Sequence, residues 1–315
     1  MSAETQDEPS ALTAPATASR TEQRNPRTAD IDIVPTEEVL RLLNAEDATV
    51  AGEVARALPV LAQVVDKVVD CVRAGGQVHY FGAGTSGRMA VLDAAEVVPT
   101  FGLDHGVFIA HQAGGDRALG TAIEDAEDDV SLGTQDAAAV SATDIAIGIT
   151  ASGRTPYVAG ALSAARLAGA TTVLVSSNPA APLASLADYF VVADTGPEAI
   201  AGSTRLKAAT AQKLILNALS TAAMVRLGRT FSNLMVSLSG TNAKLRGRQL
   251  TILMEATGAD ESVCRAQLAR CSGDLRLALL CLLSGLEPEA ATKALADADG
   301  SIRGTLADNV PPERP

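Results

Sequence analysis

Short runs of β-branched and apolar residues alternate with helical segments through the middle of the chain, and this alternation constrains the fold most strongly. Runs without a polar residue at every second position are typical of strands buried on both faces. Strands that alternate with helices form a parallel sheet covered on both sides. The sequence therefore predicts an α/β fold, a doubly wound parallel sheet in an αβα sandwich. The predicted strands are 78–81, 107–110, 144–150, 171–176 and 189–193.

Apolar residues at helical spacing predict the helices around these strands. One helix begins near Thr36 and a second spans 52–74, both before the first strand. The segment 116–129 is predicted to be a helix between the second and third strands, and a long helix over 204–227 follows the last strand.

The 315 residues are enough for one large domain and a smaller one. Residues 1–30 have no periodicity, and we predict a disordered tail. Residues 31–240 form the predicted sandwich domain with its N-terminal helices. Leu- and Ala-rich segments over 241–305 predict a small all-helical domain, and 306–315 is predicted to be a frayed tail.

Charge and composition exclude several function classes. The net charge of −12 argues against a general affinity for nucleic acid or for an anionic membrane surface. No uninterrupted apolar run approaches the roughly 18 residues of a membrane span. The polar, acidic N-terminus resembles no secretory signal, and the four cysteines form no CxxC pair. We therefore expect a cytoplasmic protein.

Two turns that follow predicted strands are rich in glycine and hydroxyl groups. The first, Gly82-Ala-Gly-Thr-Ser-Gly87, matches GxGxxG. Alone it allows a dinucleotide site, with Asp104 placed for a ribose contact, or a tight turn that binds nothing. The second turn is Ser152-Gly-Arg-Thr-Pro156. Two such turns at helix starts favour a small phosphorylated ligand, because the N–H groups of a helix N-terminus attract a phosphate.

A third turn, Gly202-Ser-Thr-Arg-Leu-Lys207, also opens a helix and carries two cations. Cations beside such turns in an acidic chain fit an anionic substrate, although simple helix capping is the alternative. The predicted substrate-binding residues are Gly84, Thr85, Ser86, Arg88, Ser152, Gly153, Arg154, Thr155, Ser203 and Lys207.

Carboxylates form the other candidate chemistry. Glu96 follows Asp93 among apolar neighbours, where a carboxylate needs a partner or a role. The acidic run 124–129 includes Glu127, and such a run is more often a solvated face. His79, His105 and His111 lack metal-ligand spacing, so no metal site is predicted.

Taken together, these residues resemble the N-acetylmuramic acid 6-phosphate etherase family over about 35–304. The matching motifs are Gly82-Ala-Gly-Thr-Ser-Gly-Arg-Met89, Leu92-Asp-Ala-Ala-Glu-Val-Val-Pro-Thr-Phe-Gly102, Ala113-Gly-Gly115, Ile123-Glu-Asp-Ala-Glu-Asp-Asp129, Ala151-Ser-Gly-Arg-Thr-Pro-Tyr157 and Thr210-Ala-Gln-Lys-Leu214.

The resemblance implies a sugar isomerase (SIS) domain, a homodimer, no metal and no organic cofactor. It also implies cleavage of the lactyl ether of N-acetylmuramate 6-phosphate in cell-wall recycling, giving N-acetylglucosamine 6-phosphate and D-lactate. By motif position, two catalytic carboxylates fall on Glu96 and Glu127. Glu127 is expected to remove the C2 proton, and Glu96 to protonate the departing lactate and then activate water.

Glu96 lies nine residues beyond Gly87, about 13 Å along a straight helix at 1.5 Å per residue. One straight helix can hardly serve both a C6 phosphate and the C3 ether. Either the helix breaks early or Glu96 reaches the partner subunit's site, and we favour a site near the dimer interface.

Three other readings remain. The first is a non-catalytic sugar-phosphate regulator, which would bind the ligand without releasing lactate. The glucokinase regulatory protein, which resembles this family, is a regulator of this kind. An aldose–ketose isomerase would also need a C2 base. A dinucleotide enzyme would leave the second hydroxyl-rich turn without a role.

Overall fold

The computed structural model describes residues 19–123, 125–238 and 243–309. These residues divide into two compact units. The first unit contains the described residues up to Ala94 together with Gly106–Leu219. The second contains Ala95–His105 and the described residues from Ser220 onward.

A five-stranded parallel sheet of order β2-β1-β3-β4-β5 forms the centre of the first unit. The strands are β1 (Val78–Gly82), β2 (Phe108–Gln112), β3 (Ile145–Thr150), β4 (Thr171–Ser176) and β5 (Tyr189–Val192). Each predicted strand is confirmed, with ends that move by no more than two residues. Every residue of β1 and β3 is buried, which explains why these runs lack polar alternation.

Helices cover both faces of this sheet. Phe81, Ala146 and Leu174 share a core cluster with the helix over Pro156–Leu167. The residues that alternate with them, such as Tyr80 and Ile145, are equally buried and point to the opposite face. The predicted doubly wound sandwich is therefore confirmed.

The helices of the first unit are α1 (Thr36–Asp47), α2 (Val50–Arg73), α3 (Gly84–Phe101, which continues into the second unit), α4 (Arg117–Gly120), α5 (Val130–Asp136), α6 (Pro156–Leu167) and α7 (Lys207–Arg226, whose last residues also belong to the second unit). The expectation of one helix over 116–129 is wrong. Among the described residues of this range only α4 and a single 3-10 turn at Ala126–Asp128 form, and the left-handed φ of +68° at Asp125 interrupts helical geometry between them.

The predicted disordered tail is also wrong over residues 19–30. This segment forms 3-10 turns at Arg20–Glu22 and Pro26–Thr28 and bonds to the loop before α7. The Thr28 hydroxyl donates to the Ala199 carbonyl at 2.7 Å, and the Gly202 N–H donates to the Thr21 carbonyl at 3.0 Å. Residues 1–18 lie outside the described part of the chain.

The second unit contains a short hairpin of β6 (Thr230–Phe231) and β7 (Leu234–Met235), followed by α8 (Ala243–Thr257), α9 (Glu261–Arg270), α10 (Leu275–Ser284), α11 (Pro288–Asp297) and α12 (Ile302–Asn309). Leucine and alanine side chains fill its core, as expected for the predicted helical domain. The C-terminal part of this compact unit begins at Ser220 rather than near 241, and the unit also includes Ala95–His105. The predicted frayed tail is helical as far as Asn309, and 310–315 lie outside the described residues.

One helical stretch, Thr36–Arg73, is long and apolar enough by length and composition to cross a membrane, although no uninterrupted apolar run was expected there. Within it, α2 turns an apolar face inward, with Val54, Leu61 and Val68 buried, while charged residues occupy its other face. This pattern is that of a helix packed on a protein core.

Candidate active site

The turn between β1 and α3 is held closed by two glycines. A Cβ at Gly87 would lie 2.1 Å from the Gln112 Oε1 atom and 2.5 Å from the Gly82 oxygen, so no larger residue fits. Gly84 has a φ of +55°, in the left-handed region that favours glycine. Thr85 is half-buried and Ser86 is buried, and both stand in the first turn of α3. The backbone N–H groups of this turn are the type of donor that binds a phosphate.

A cavity of about 380 Å³ lies next to this turn. Its lining includes Gly84, Arg88, Gln112 and Glu127, so it brings together three of the predicted site residues. Glu127 stands on the Ala126–Asp128 3-10 turn with its side chain exposed. An exposed carboxylate on the wall of a polar cavity can accept a proton from a bound molecule.

Arg88 links the two sides of this cavity. Its Nε atom donates to the Leu119 carbonyl at 3.0 Å, and Nη2 donates to the Ala118 carbonyl at 2.8 Å. The guanidinium therefore anchors the end of α4, the segment that leads to Glu127. Two of its five N–H donors are used in this way.

The second predicted turn follows β3, which is the neighbour of β1 in the sheet. Parallel strands in this order place their carboxyl ends on either side of the switch point where ligands bind in such sheets. The Thr150 hydroxyl lies 2.7 Å from that of Thr155, and the Arg154 N–H donates to the Ser152 hydroxyl at 3.3 Å. Gly153 has a φ of +70°, and a Cβ there would lie 2.2 Å from the Ala181 side chain. These bonds fix the turn before α6, with Arg154 half-buried beside it.

The third predicted turn is already occupied by a carboxylate of the chain itself. Glu198, which is fully buried, accepts hydrogen bonds from the backbone N–H groups of Lys207 and Ala208, both at 2.9 Å. Burial raises the pKa of Glu198, although these N–H donors oppose the shift. The N-terminus of α7 thus holds Glu198 where a ligand anion would otherwise bind. Ser203 is half-buried in the loop before it.

Lys207 differs from the expectation of a substrate-binding cation. Its side chain is 1% exposed, and Nζ donates to the Glu46 Oε2 atom at 2.7 Å. Arg27 donates to both oxygens of the same carboxylate and lowers the pKa of Glu46 to about 2, with Lys207 adding to the effect. A cation buried in this pair stabilises the fold and does not face an open cavity.

Glu96 is exposed on α3 rather than surrounded by its apolar neighbours. From Ala90 onward, the buried positions of this helix are Ala90, Asp93, Ala94, Val97 and Phe101, which follow the helical repeat and leave Glu96 on the opposite face. The helix continues without a break to Phe101. Glu96 is grouped with the second unit, whereas the residues that line the Glu127 cavity belong to the first.

Sequence reasoning missed three polar residues. Asp93 is buried and accepts a hydrogen bond from the Tyr80 hydroxyl at 3.0 Å; burial raises the pKa of Tyr80, and Asp93 raises it further. Gln112 lines the cavity, and no donor among the described residues reaches its buried Oε1 atom. Glu198 caps α7 as described above. A polar residue at a strand end or inside a helical apolar repeat was the available signal for the first two.

Within the described residues 19–123, 125–238 and 243–309, no group of three His, Cys, Asp or Glu residues is arranged to hold a metal ion.

The comparisons with known proteins first define a class. Residues 118–222 match the SIS domain family, and 60–166 match the family described as the glucokinase regulatory protein N-terminal SIS domain. A phosphoheptose isomerase from Francisella tularensis superposes with a TM-score of 0.50 at 20% identity, covering 61% of this chain and 100% of that chain. The fold is that of a SIS-domain protein.

Relatives at higher identity then identify the family. "N-acetylmuramic acid 6-phosphate etherase" of Thermobifida fusca is 61% identical over 264 residues, covering 84% of this chain and 87% of the relative. The proteins of the same name from Brucella anthropi and Aeromonas hydrophila are 48% and 46% identical, over 91% and 90% of this chain and 94% and 95% of theirs. The chain belongs to the N-acetylmuramic acid 6-phosphate etherase family.

Proposed function

We propose that this chain is a carbon–oxygen lyase that cleaves the D-lactyl ether of N-acetylmuramate 6-phosphate. The products are N-acetylglucosamine 6-phosphate and D-lactate, in the recycling of cell-wall amino sugars. The observation that carries the proposal is the 61% identity to an etherase over most of the chain. The cavity that joins the α3 turn to Glu127 supports it.

The phosphate of the substrate binds at the N-terminus of α3. Gly84 provides the turn, Thr85 and Ser86 provide hydroxyls, and Arg88 provides positive charge on the cavity wall. The turn after β3, with Ser152, Gly153, Arg154 and Thr155, binds the other polar groups of the sugar across the switch point. Ser203 is a weaker candidate, since Glu198 already occupies the helix N-terminus beside it.

Glu127 is the base for the first step. In the open-chain sugar the C1 aldehyde acidifies the C2 proton, and the Glu127 carboxylate on the cavity wall is the group proposed to accept it. A base placed in this way contributes about 10²–10⁴-fold to the rate.

Glu96 is the acid for lactate departure. As the C3–O bond breaks, the ether oxygen takes the Glu96 proton and leaves as lactate, and a C2–C3 double bond forms. Water then adds its oxygen to C3 and its proton returns to Glu96, while C2 regains a proton from Glu127. The sum of these steps is substrate plus water giving the two products.

The unbroken course of α3 supports our proposal that Glu96 acts at the site of a partner subunit in a homodimer. Gly84–Phe101 is one helix, so the alternative of an early helix break loses its support. Glu96 then stands about 13 Å beyond Gly87, at 1.5 Å per residue, which exceeds the span between C6 and C3 of one sugar. A second chain, related by two-fold symmetry, is the simplest source of the missing acid.

No organic cofactor or metal takes part in this scheme. The compartment proposed is the cytoplasm, which the free cysteines Cys71, Cys264, Cys271 and Cys281 support.

Lactate release together with hydrogen exchange tests the two roles. Glu96→Ala is expected to lose lactate release but still exchange the C2 hydrogen of the substrate with solvent, whereas Glu127→Ala loses both. If exchange were absent in Glu96→Ala and present in Glu127→Ala, the roles would be reversed. Sugar-phosphate binding without any lactate release from the unaltered chain would instead favour the regulator.

A further inference from the structure

The second unit contains a cavity of about 830 Å³ that the proposed etherase reaction does not use. It lies among α8, α9, the start of α10 and the segment that follows β7, and all its lining residues belong to this unit. Its volume is within the roughly 300–1,000 Å³ of pockets that bind small molecules.

Four arginines line this cavity, and they make it positive within an acidic chain of net charge −12. Among the described residues of the lining, the single carboxylate is that of Asp274. Its Oδ1 atom accepts a hydrogen bond from the Leu277 N–H at 2.9 Å, so its negative charge caps the start of α10. The four arginines are Arg229, Arg246, Arg265 and Arg276.

Arg229 and Arg276 are the two whose charge is least compensated. Both are half-buried, and in the part of the chain that the structure describes neither forms an ion pair with a carboxylate. Burial lowers the pKa of Arg276, and the nearby Arg229 lowers it further against the pull of Asp274. Two neighbouring, partly desolvated cations are unfavourable without an anion to share.

The guanidinium group of Arg229 is partly fixed in direction. The Arg229 Nη1 atom donates to the Gly102 carbonyl at 3.3 Å, which orients the guanidinium plane. A planar guanidinium can bind two oxygens of one phosphate at once, and a pair of arginines can share such a group.

The rest of the cavity wall combines apolar side chains with hydroxyl groups and the Gln249 amide. Val236, Leu238 and Leu268 form part of it, together with Ser237 and Ser272. The ligand therefore has an uncharged body as well as its anionic group.

We propose that this cavity binds a small organic phosphate, with Arg229 and Arg276 contacting its phosphate group. This site is built from different residues than the sugar-phosphate cavity of the first unit, and the inference does not depend on the proposed etherase activity.

Isothermal titration calorimetry of the full chain with inorganic pyrophosphate tests the site. We expect saturable binding that Arg229→Gln and Arg276→Gln each weaken by about tenfold or more, since each removes charge-assisted hydrogen bonds. The matched control is Arg270→Gln, because Arg270 stands on α9 in the same unit but is exposed and pairs with Glu287 at 2.5 Å. This control should keep the unaltered affinity. No binding, or equal affinity in all three variants, overturns the proposal.

Two further measurements separate this site from the turn before α3. Pyrophosphate should still bind to Gly87→Ala, in which the added Cβ would lie 2.5 Å from the Gly82 oxygen and disrupt the α3 turn, whereas loss of binding in that variant would assign it to the sugar site. Hydrogen exchange of the backbone amides in the unaltered protein should slow at 236–238 and 272–276 when pyrophosphate is added. Slowing only at 84–88 overturns the proposal. This measurement needs no variant, so it applies even if a variant fails to fold. Lactate release is scored separately, so either proposal can fail while the other stands.

Discussion

The buried pair of Lys207 and Glu46 allows a sharp test of whether Lys207, at the third turn, stabilises the fold or binds substrate. Lys207→Met removes a cation that is 1% exposed and leaves a carboxylate that is 3% exposed. Removing one partner of a buried pair costs about 3–5 kcal/mol. Arg27 still bonds Glu46 in this variant, so we expect the lower end, about 3 kcal/mol.

Urea unfolding followed by circular dichroism measures this loss. With a slope of about 3 kcal/mol/M, the unfolding midpoint should fall by about 1 M. The double variant Glu46→Gln/Lys207→Met removes both charges and should regain part of the stability. Lys213→Met, on the same helix and bonded only to the nearby Asn217 side chain at 2.6 Å in the described structure, should leave the midpoint unchanged.

Two outcomes would refute the structural role of Lys207. One is an unchanged midpoint in Lys207→Met together with a raised KM for the sugar phosphate, which would make it a substrate-binding cation. The other is a double variant whose loss of unfolding free energy equals the sum of the losses in Lys207→Met and Glu46→Gln measured separately.

Three further predictions concern pH, the α3 turn and the α7 cap. Burial, with His79 beside it, lowers the pKa of His111 from its ordinary 6.5 to about 4, so the unfolded chain binds a proton that the folded chain does not. Stability should therefore fall as the pH falls from 6.5 to 4, by at most about 3 kcal/mol, in urea titrations at several pH values, and His111→Asn should flatten that slope. Gly87→Ala places a Cβ 2.1 Å from the Gln112 side chain and should abolish lactate release, while Gly120→Ala, with nothing within 4 Å, should keep it; equal activity of the two would contradict the closed turn. Glu198→Ala removes the cap of α7 and should lower the free energy of unfolding by about 1–2 kcal/mol in thermal or urea melts, and no change would show that the two bonds to Glu198 are dispensable.

The sheet could be predicted because its signal is local and redundant. Strands such as Ile145–Thr150 are buried throughout, so several β-branched or apolar residues follow one another and mark the strand within the sequence itself. The α3 turn was predictable for the same reason, since glycine and hydroxyl residues stand together between a strand and a helix.

Features that depend on distant partners could not be predicted in this way. The ordering of residues 19–30 rests on hydrogen bonds such as that from Thr28 to Ala199, 171 positions apart. The burial of Lys207 rests on Glu46, 161 positions away. A polar segment or a lysine beside a helix start carries no local sign of such a partner.

The exposure of Glu96 shows that burial cannot be predicted from the residues adjacent in the sequence. Its neighbours Val97 and Val98 suggested an apolar setting, but on a helix adjacent residues point about 100° apart and only the repeat of three to four decides burial. Counting the repeat through Ala90, Ala94 and Val97 would have placed Glu96 outside the buried face.

A mixture of two inactive variants tests the shared site most directly. Equal amounts of Glu96→Ala and Glu127→Ala chains, unfolded together and refolded, should form mixed dimers in which one of the two sites has both carboxylates. Random pairing then gives about a quarter of the lactate release of the unaltered protein at the same chain concentration. If both carboxylates act within one chain, every site in the mixture lacks one of them, and lactate release stays at the level of the separate variants.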